Sequence, residues 1–210
     1  MTVPVIKNVL EQNPALKITF VSNAFFAPMF EGLEHLEFFG VNLKTEYTGA
    51  TGMYRLYKAL KSTHNFTAVV DLHYVLRSIL LTAFFKISGY KTAVIDKGRK
   101  EKKALTQKEN KSLHQLTPMH NRYAEVFNKA GFPVILKNDS PVYPKQKLPI
   151  AVEQFFLSGK RVIGLAPFAQ HAEKMYPIDK MKTVAQELAT NHIVLLFGGG
   201  KEESAVLQTW

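Results

Sequence analysis

The 210-residue sequence has no cysteine and no long apolar run. Without cysteine the chain cannot form a disulfide, a zinc-thiolate site or a cysteine nucleophile. No stretch reaches the roughly 18 apolar residues that a membrane-spanning helix needs. The N-terminal residues also lack the basic region and the small-residue cleavage site of a signal peptide. These absences predict a cytoplasmic protein.

Acidic residues are scarce, with 17 Asp and Glu against 27 Lys and Arg, which gives a formal net charge of +10. This balance excludes an acidic disordered region and leaves three partner classes: nucleic acid, an anionic membrane surface, or a phosphorylated substrate. Half of the excess charge lies between Lys97 and Lys111. Aromatic residues are not interleaved with these lysines and no nucleic-acid-binding motif occurs, so we predict no nucleic-acid partner.

Short apolar segments alternate with amphipathic ones along most of the chain. This rhythm predicts an α/β protein with doubly wound parallel sheets. The strands are expected at Lys17–Ser22, Thr67–Leu72, Lys91–Ile95, Arg161–Ala166 and His192–Phe197. Helices are expected at Val3–Leu10, around Met53–Leu60, at Val75–Ser88, around Tyr123–Ala130, at Ile178–Ala189 and after Gly200.

Prolines interrupt this rhythm between residues 133 and 150, where no hydrophobic period is found. The pattern predicts a domain over 1–132, a linker over 133–150 and the beginning of a second domain over 151–210. The first helix has no strand before it, and the second domain has two strands where a doubly wound sheet usually has about five or six. We therefore expect the chain to be a piece of a longer protein.

The first candidate site is the strand-to-helix junction DLHYVLRS, residues 71–78. Ligands of open parallel sheets bind beyond the carboxyl ends of the strands. Asp71, His73 and Arg77 would meet a substrate there. Alternatively, Asp71 and Ser78 only cap the helix and Arg77 lies in solvent.

The second candidate site is the basic stretch DKGRKEKK, residues 96–103. Its clustered cations suit phosphate or carboxylate groups, and an arginine can bind such a group with two hydrogen bonds. The alternative is a solvated loop or helix face.

The third candidate site combines two strand ends of the second domain, APFAQHAEKMYP at 166–177 and FGGGKEE at 197–203. A loop that enters a helix offers backbone N–H groups to an anion. Lys174 adds a positive charge, and Glu202 is placed to accept ribose hydroxyls. Three glycines are not a GxGxxG fingerprint, and alone they indicate a simple turn.

Histidines 35, 64, 114 and 192 have no partner at metal-ligand spacing, so no metal site is predicted.

These segments, in this order, resemble the heptosyltransferases of lipopolysaccharide core synthesis, glycosyltransferase family nine. DLHYVLRS is similar to the family's D-L-Q-G-x-L-R-S, and DKGRKEKKALT matches a stretch after the next strand. IGLAPFAQHAEKMYP resembles I-G-x-x-P-G-A-x-x-x-x-K-x-W-P, and LLFGGGKEE resembles L-x-G-G-P-x-E. The resemblance covers essentially the whole chain.

The resemblance implies a GT-B fold of two Rossmann-like domains, the second incomplete here. It implies inverting transfer of heptose from ADP-heptose to an anionic lipopolysaccharide core acceptor, without a cofactor or a protein-bound metal. Peripheral contact with the inner face of the bacterial inner membrane is expected. Donor binding falls on Gln170, Lys174, Gly198, Gly199 and Glu202, and acceptor binding on Asp71, His73, Arg77, Lys97, Arg99, Lys100 and Lys102.

Several family features are absent or altered. The S-x-G-D loop that holds the expected aspartate base would lie upstream of Met1, and the later D-T-G-x-x-H-x-A-A motif is not in the chain. Phe168, Gln170 and Gly200 replace a glycine, a Ser or Thr, and a proline. We therefore expect residues 1–210 alone to be inactive. The competing interpretation is a non-catalytic nucleotide- or carbohydrate-binding α/β module.

Overall fold

The computed structural model describes residues 1–137 and 147–210. The chain divides into two compact units, Met1–Pro141 and Val142–Trp210. In the described residues the strands are β1 (Ile18–Asn23), β2 (Leu36–Val41), β3 (Ala68–Asp71), β4 (Lys91–Val94), β5 (Val162–Leu165) and β6 (Ile193–Leu196). The α-helices are α1 (Thr2–Gln12), α2 (Gly49–Thr63), α3 (Leu76–Ile87), α4 (Arg99–Thr106), α5 (Met119–Ala130), α6 (Ile150–Phe156), α7 (Ile178–Ala189) and α8 (Gly200–Leu207).

All three strand pairs are parallel: β1 with β2, β3 with β4, and β5 with β6. A parallel pair needs a crossover connection, and helices α2, α3 and α7 occur between strands along the chain. The α/β class expected from the alternating pattern is therefore confirmed.

Strand β2 is the main element that the sequence pattern does not predict. Its sequence, LEFFGV, has two adjacent phenylalanines in place of a clean alternation. Phe38 and Phe39 lie opposite Phe20 and Val21 of β1. Pairing with β1 overrides the weak local signal.

One core of the first unit forms around α1. The apolar face of this helix buries Val5, Ile6, Val9 and Leu10. This face packs with Phe30 before β2, with Ala124 and Phe127 of α5, and with Val134. The i, i+3, i+4 spacing of the apolar residues explains why this segment is a helix and which side faces inward.

A second core of the first unit is rich in aromatic residues and centres on Phe85 of α3, which is 2% exposed. Its ring makes edge-to-face contacts with the rings of Tyr57, Phe66 and Tyr90, at centroid distances of 5.0, 5.9 and 5.4 Å. This geometry is favoured by the quadrupole of aromatic rings. The contacts join α2 and α3.

The chain after α5 runs along α1. Gln12 Nε2 donates to the carbonyl of Ile135 at 2.8 Å, and Gln12 Oε1 accepts from the Ile135 N–H at 3.0 Å. Lys137 Nζ lies 3.0 Å from Glu11 Oε2. The first part of the predicted linker is thus bonded to the first unit. Residues 138–146 lie outside the described residues, and Ile150 begins α6.

In the second unit, β5 pairs with β6, and Leu165 of β5 lies opposite Leu196 of β6. Ala185 of helix α7 is buried, and this residue lies on the helix face that the spacing of Ile178, Met181 and Leu188 predicts to be buried. Within the described residues, no helix is both long and apolar enough to cross a bilayer.

The parallel pairing decides where the candidate sites lie. In the first unit, Asp71 at the end of β3 is opposite Val94 at the end of β4. The DLHY and DKGR segments therefore follow neighbouring strands at the same sheet edge. In the second unit, the segments after β5 and β6 have the same relation.

The aromatic core gives a stability prediction. Phe85→Ala should lower the free energy of unfolding by about 3–5 kcal/mol, because it removes a fully buried aromatic side chain and leaves a cavity. The matched control is Phe25→Ala, whose ring is 82% exposed and whose loss should cost about 0.5 kcal/mol or less. Urea unfolding measures both, and equal losses would contradict this assignment of the core.

Candidate functional site

Asp71 shapes the turn that follows β3. Its Oδ1 accepts hydrogen bonds from the backbone N–H groups of His73 and Tyr74, both at 2.8 Å. The side chain is 6% exposed, and its Oδ2 is buried without a hydrogen-bond partner in the described part of the chain. A carboxylate that accepts from two backbone N–H groups fixes the path of the chain. Asp71 therefore holds the turn, and one of its oxygens is still able to accept a hydrogen bond.

Ser78 closes the start of α3. Its Oγ accepts from the Val75 N–H at 3.0 Å and also lies 3.1 Å from the Val75 carbonyl oxygen, to which it donates. This contact satisfies a backbone N–H that the first turn of a helix leaves without a partner. His73 and Arg77, the other predicted site residues of this segment, are exposed.

The turn after β4 is built around Gly98. Asp96 Oδ1 accepts from the Gly98 N–H at 2.8 Å, and Gly98 has a φ of +61°. A Cβ atom at Gly98 would lie 2.5 Å from an Nη atom of Arg122. Both the backbone conformation and the lack of space require glycine here.

Arg122 of α5 holds this turn in place through hydrogen bonds from the protein interior, and it is only 5% exposed. Its guanidinium donates to the carbonyls of Thr117 and Asp96 and to Glu101 Oε2, at 3.1, 3.2 and 2.6 Å. The carboxylate of Glu101 compensates the buried charge, since an unpaired buried guanidinium would be costly. Arg122 thereby ties the basic stretch to the body of the first unit.

Arg99 joins the two turns. One of its Nη atoms donates to the Tyr74 carbonyl at 3.3 Å, and the guanidinium carbon lies 5.4 Å from the centre of the Tyr74 ring. Tyr74 has a φ of +46°. The segments predicted separately as the first and second candidate sites therefore form one surface, which we call the strand-end surface: residues 71–78 and 96–103.

The strand-end surface carries more cations than carboxylates. Asp71, Asp96 and Glu101 are each bonded to backbone N–H groups or to the buried arginine. Lys97 is half-buried, and the remaining lysines and arginines are exposed: Arg77, Arg99, Lys100, Lys102 and Lys103. These six cations outnumber the three carboxylates, of which Glu101 is already paired with Arg122, so the surface suits an anionic ligand.

Two residues that build the strand-end surface, Tyr74 within it and Arg122 behind it, were not among the predicted site residues. Tyr74 could have been found, because the family pattern has glycine at its position, where a positive φ is readily adopted. Arg122 carries no such signal. A lone arginine on an amphipathic helix is typical of a solvent-facing residue, and its burial depends on the distant Glu101 and Asp96.

In the second unit, the ends of β5 and β6 also come together. A Cβ atom at Gly198 would lie 3.3 Å from the Phe168 ring and 2.8 Å from Leu207. The Gly199 N–H donates to Glu203 Oε2 at 2.7 Å. Glu203 therefore fixes the glycine turn, a role that the sequence does not distinguish from that of its neighbour Glu202.

The predicted donor-binding side chains of the second unit are exposed. Lys174 ends a short 3-10 helix, Ala172–Lys174, and Gln170 precedes it. Glu202 lies in the first turn of α8. Across residues 147–210 no side-chain hydrogen bond engages these three residues, which are therefore able to contact a ligand. Over the described ranges, no group of three or more metal-ligating side chains is arranged to hold a metal ion.

Comparison with known proteins identifies the family. The family model described as glycosyltransferase family 9 (heptosyltransferase) matches residues 53–209, three quarters of the chain. The chain belongs to glycosyltransferase family 9. The resemblance seen in the sequence motifs is thus confirmed. A search of curated proteins gave no match.

Solved structures of family 9 proteins share the fold. Escherichia coli heptosyltransferase WaaC with ADP superposes with a TM-score of 0.60 at 17% identity, covering 99% of this chain and 65% of that one. The same enzyme with ADP-2-deoxy-2-fluoro heptose gives 0.65 at 17% identity, covering 99% and 67%. A Veillonella parvula family 9 glycosyltransferase gives 0.66 at 16% identity, covering 99% and 61%.

These comparisons establish the fold class of the family 9 chain. It is an α/β protein of the GT-B type, as expected from the motifs. The chain spans about two thirds of the length of the solved chains that it matches.

The Gly98 turn gives a prediction with a matched control. Gly98→Ala and Gly89→Ala both place a side chain at a positive φ, +61° and +87°, which should cost each about 1–2 kcal/mol. Gly98→Ala also forces a methyl group against the buried Arg122 guanidinium, whereas nothing lies within 4 Å at Gly89. Urea unfolding should show a clearly larger loss for Gly98→Ala, and equal losses would contradict the buried position of Arg122.

Proposed function

We propose that this family 9 protein transfers heptose from ADP-heptose to an anionic sugar of the lipopolysaccharide inner core. The observation that carries the proposal is the strand-end surface, where lysines and arginines outnumber carboxylates, Asp71 is buried, and Glu101 is paired with Arg122. A neutral acceptor would gain nothing from such a face. Membership of the family and the ADP ligands named for its structural neighbour support the donor.

The two units would divide the substrates between them. In the first unit, Arg77, Lys97 and Arg99 would bind the acidic acceptor, with Lys100 and Lys102 adding long-range attraction. The residues expected to act with them are Asp71, which holds the turn, and His73. In the second unit, Lys174 and Gln170 would contact the diphosphate, Gly198 and Gly199 would allow close approach of the nucleotide, and Glu202 would accept the ribose hydroxyls.

The transfer would be an inverting displacement at the anomeric carbon. The acceptor oxygen forms the new glycosidic bond as the bond from that carbon to the ADP oxygen breaks, and a carboxylate base takes the acceptor proton. Lys174 would stabilise the charge that develops on the leaving diphosphate. The resemblance puts the base in a loop outside residues 1–210.

The acceptor in this proposal is attached to lipid, so the protein would work in the cytoplasm at the inner face of the inner membrane. Exposed lysines and arginines of the strand-end surface would be attracted to anionic headgroups there.

Lys174 tests the donor side. Lys174→Gln should weaken ADP binding by about tenfold or more, because a charge-assisted contact with phosphate is worth about 1.5–3 kcal/mol. The control is Lys180→Gln, which removes the same charge from an exposed position of α7. Isothermal titration calorimetry with ADP measures both. Equal affinity of the two variants would contradict the role of Lys174.

The neighbouring glutamates of α8 should separate binding from stability. Glu202→Ala should weaken ADP binding and leave the free energy of unfolding within about 0.5 kcal/mol. Glu203→Ala should lower that free energy by about 1 kcal/mol, because it removes the acceptor of the Gly199 N–H. Calorimetry and urea unfolding are applied to both variants. If Glu203→Ala weakened ADP binding and Glu202→Ala lowered the free energy of unfolding, the ribose contact would be assigned to Glu203.

The reaction is tested by measuring ADP release from ADP-heptose in the presence of lipopolysaccharide core acceptor. A chain extended at both ends to the length of the solved neighbours should turn over, and residues 1–210 alone should release little ADP. Turnover by residues 1–210 at the rate of the extended chain would refute the expected inactivity. An extended chain that binds ADP and acceptor without transfer would favour a non-catalytic binding module.

A further inference from the structure

Tyr74 has a backbone conformation that its side chain disfavours. Its φ of +46° lies in the left-handed region, where glycine or asparagine is accommodated more readily than tyrosine. Both polar groups of its backbone are fixed, because the N–H donates to Asp71 and the carbonyl accepts from Arg99. The turn would therefore form with less strain if a glycine stood here. The presence of a tyrosine at such a position suggests that its side chain has a function.

The ring of Tyr74 is available at the surface. It is 37% exposed, and the Arg99 guanidinium lies over it at 5.4 Å. Arg99 makes one side-chain hydrogen bond within the described ranges, to the Tyr74 carbonyl, and a guanidinium has five N–H donors. We call this pair the Tyr74–Arg99 platform. It combines an aromatic surface with guanidinium N–H donors that no other side-chain hydrogen bond engages within the described ranges.

The surroundings of the platform determine which ligand it suits. Of the nearby carboxylates, Asp71 is buried, Glu101 is paired with Arg122, and Asp96 accepts from the Gly98 N–H. An aromatic ring packs against the C–H face of a sugar ring, because that face is apolar and the ring face is negative. The planar fork of a guanidinium binds carboxylate or phosphate with two hydrogen bonds.

We propose that Tyr74 is a specificity-determining residue, and that the Tyr74–Arg99 platform binds a pyranose ring that carries a negative charge. This inference rests on the proposed function, since the ring would be the acidic sugar of the acceptor. It goes further in giving a direct contact to Tyr74, where the motif pattern has a glycine.

The experiment measures binding of small probes by NMR titration of residues 1–210. D-Glucuronate and D-glucose 6-phosphate carry both a ring and a charge, as carboxylate and as phosphate. D-Glucose has the ring alone, and acetate and inorganic phosphate have the charge alone. We expect the Tyr74 ring signals, assigned by their loss in Tyr74→Phe, to shift with at least one charged sugar and to respond about tenfold more weakly to the single-feature probes.

The decisive variant is Tyr74→Gly. It should weaken binding of the charged sugar by about fivefold to tenfold, while its melting temperature stays equal to that of the wild type or rises, because the strain is relieved. Tyr74→Phe keeps the ring and should keep the affinity. Arg99→Lys keeps the charge and loses the planar fork, so it should weaken binding as well.

Two results would overturn the inference: no binding of either charged sugar, or wild-type affinity in Tyr74→Gly with an unchanged or lower melting temperature. The latter would mean that the ring only packs. ADP binding, measured in the same samples, keeps the two proposals distinguishable. If ADP binds and the charged sugars do not, the platform is refuted and the donor side of the proposed function stands. If the charged sugars bind and ADP does not, the donor assignment fails and the platform stands.

Discussion

The buried guanidinium of Arg122 is the interaction on which the strand-end surface depends. It draws the carbonyl of Asp96 and the carboxylate of Glu101 toward the body of the first unit. Glycine is then required at position 98, and α4 starts directly after it. Because α4 starts there, Arg99 reaches the neighbouring turn. One buried charge thereby sets the direction in which several exposed charges point.

Both units build their strand ends in a similar way. In the first unit Asp71 and Asp96 accept from backbone N–H groups just after their strands, and in the second Glu203 accepts from the glycine turn after β6. Carboxylates used in this manner fix the loops that follow the strands. A chain with few acidic residues can therefore hold its loops in place and still offer cationic surfaces to phosphate or carboxylate groups.

Much of the fold could be predicted from the sequence, because its signals are local. The apolar runs of β3 and β6 and the helical spacing of α1, α2 and α7 depend on residues within one or two turns. Strand β2 was missed because its pattern makes sense only opposite β1. The order of four motifs also identified the family, although each motif alone is of moderate specificity.

The segments that form the candidate sites could be predicted from the sequence, whereas the hydrogen bonds within them could not. Parallel strands place their carboxyl ends at one edge, so residues 71–78 and 96–103 could be expected to lie near each other. The partner of a buried arginine 21 or 26 residues away along the chain cannot be deduced from spacing. Nor can it be deduced from spacing that Glu203, and not its neighbour Glu202, accepts from the Gly199 N–H.

The hydrogen bonds between α1 and residues 133–137 have a consequence for synthesis of the chain. Gln12 and Ile135 are 123 positions apart, and they exchange two hydrogen bonds. Helix α1 also packs on α5, which ends at Ala130. During translation α1 is made long before α5 and residues 133–137, so its apolar face is fully covered only after these residues follow. Folding of the first unit can therefore finish only after residue 137 has left the ribosome.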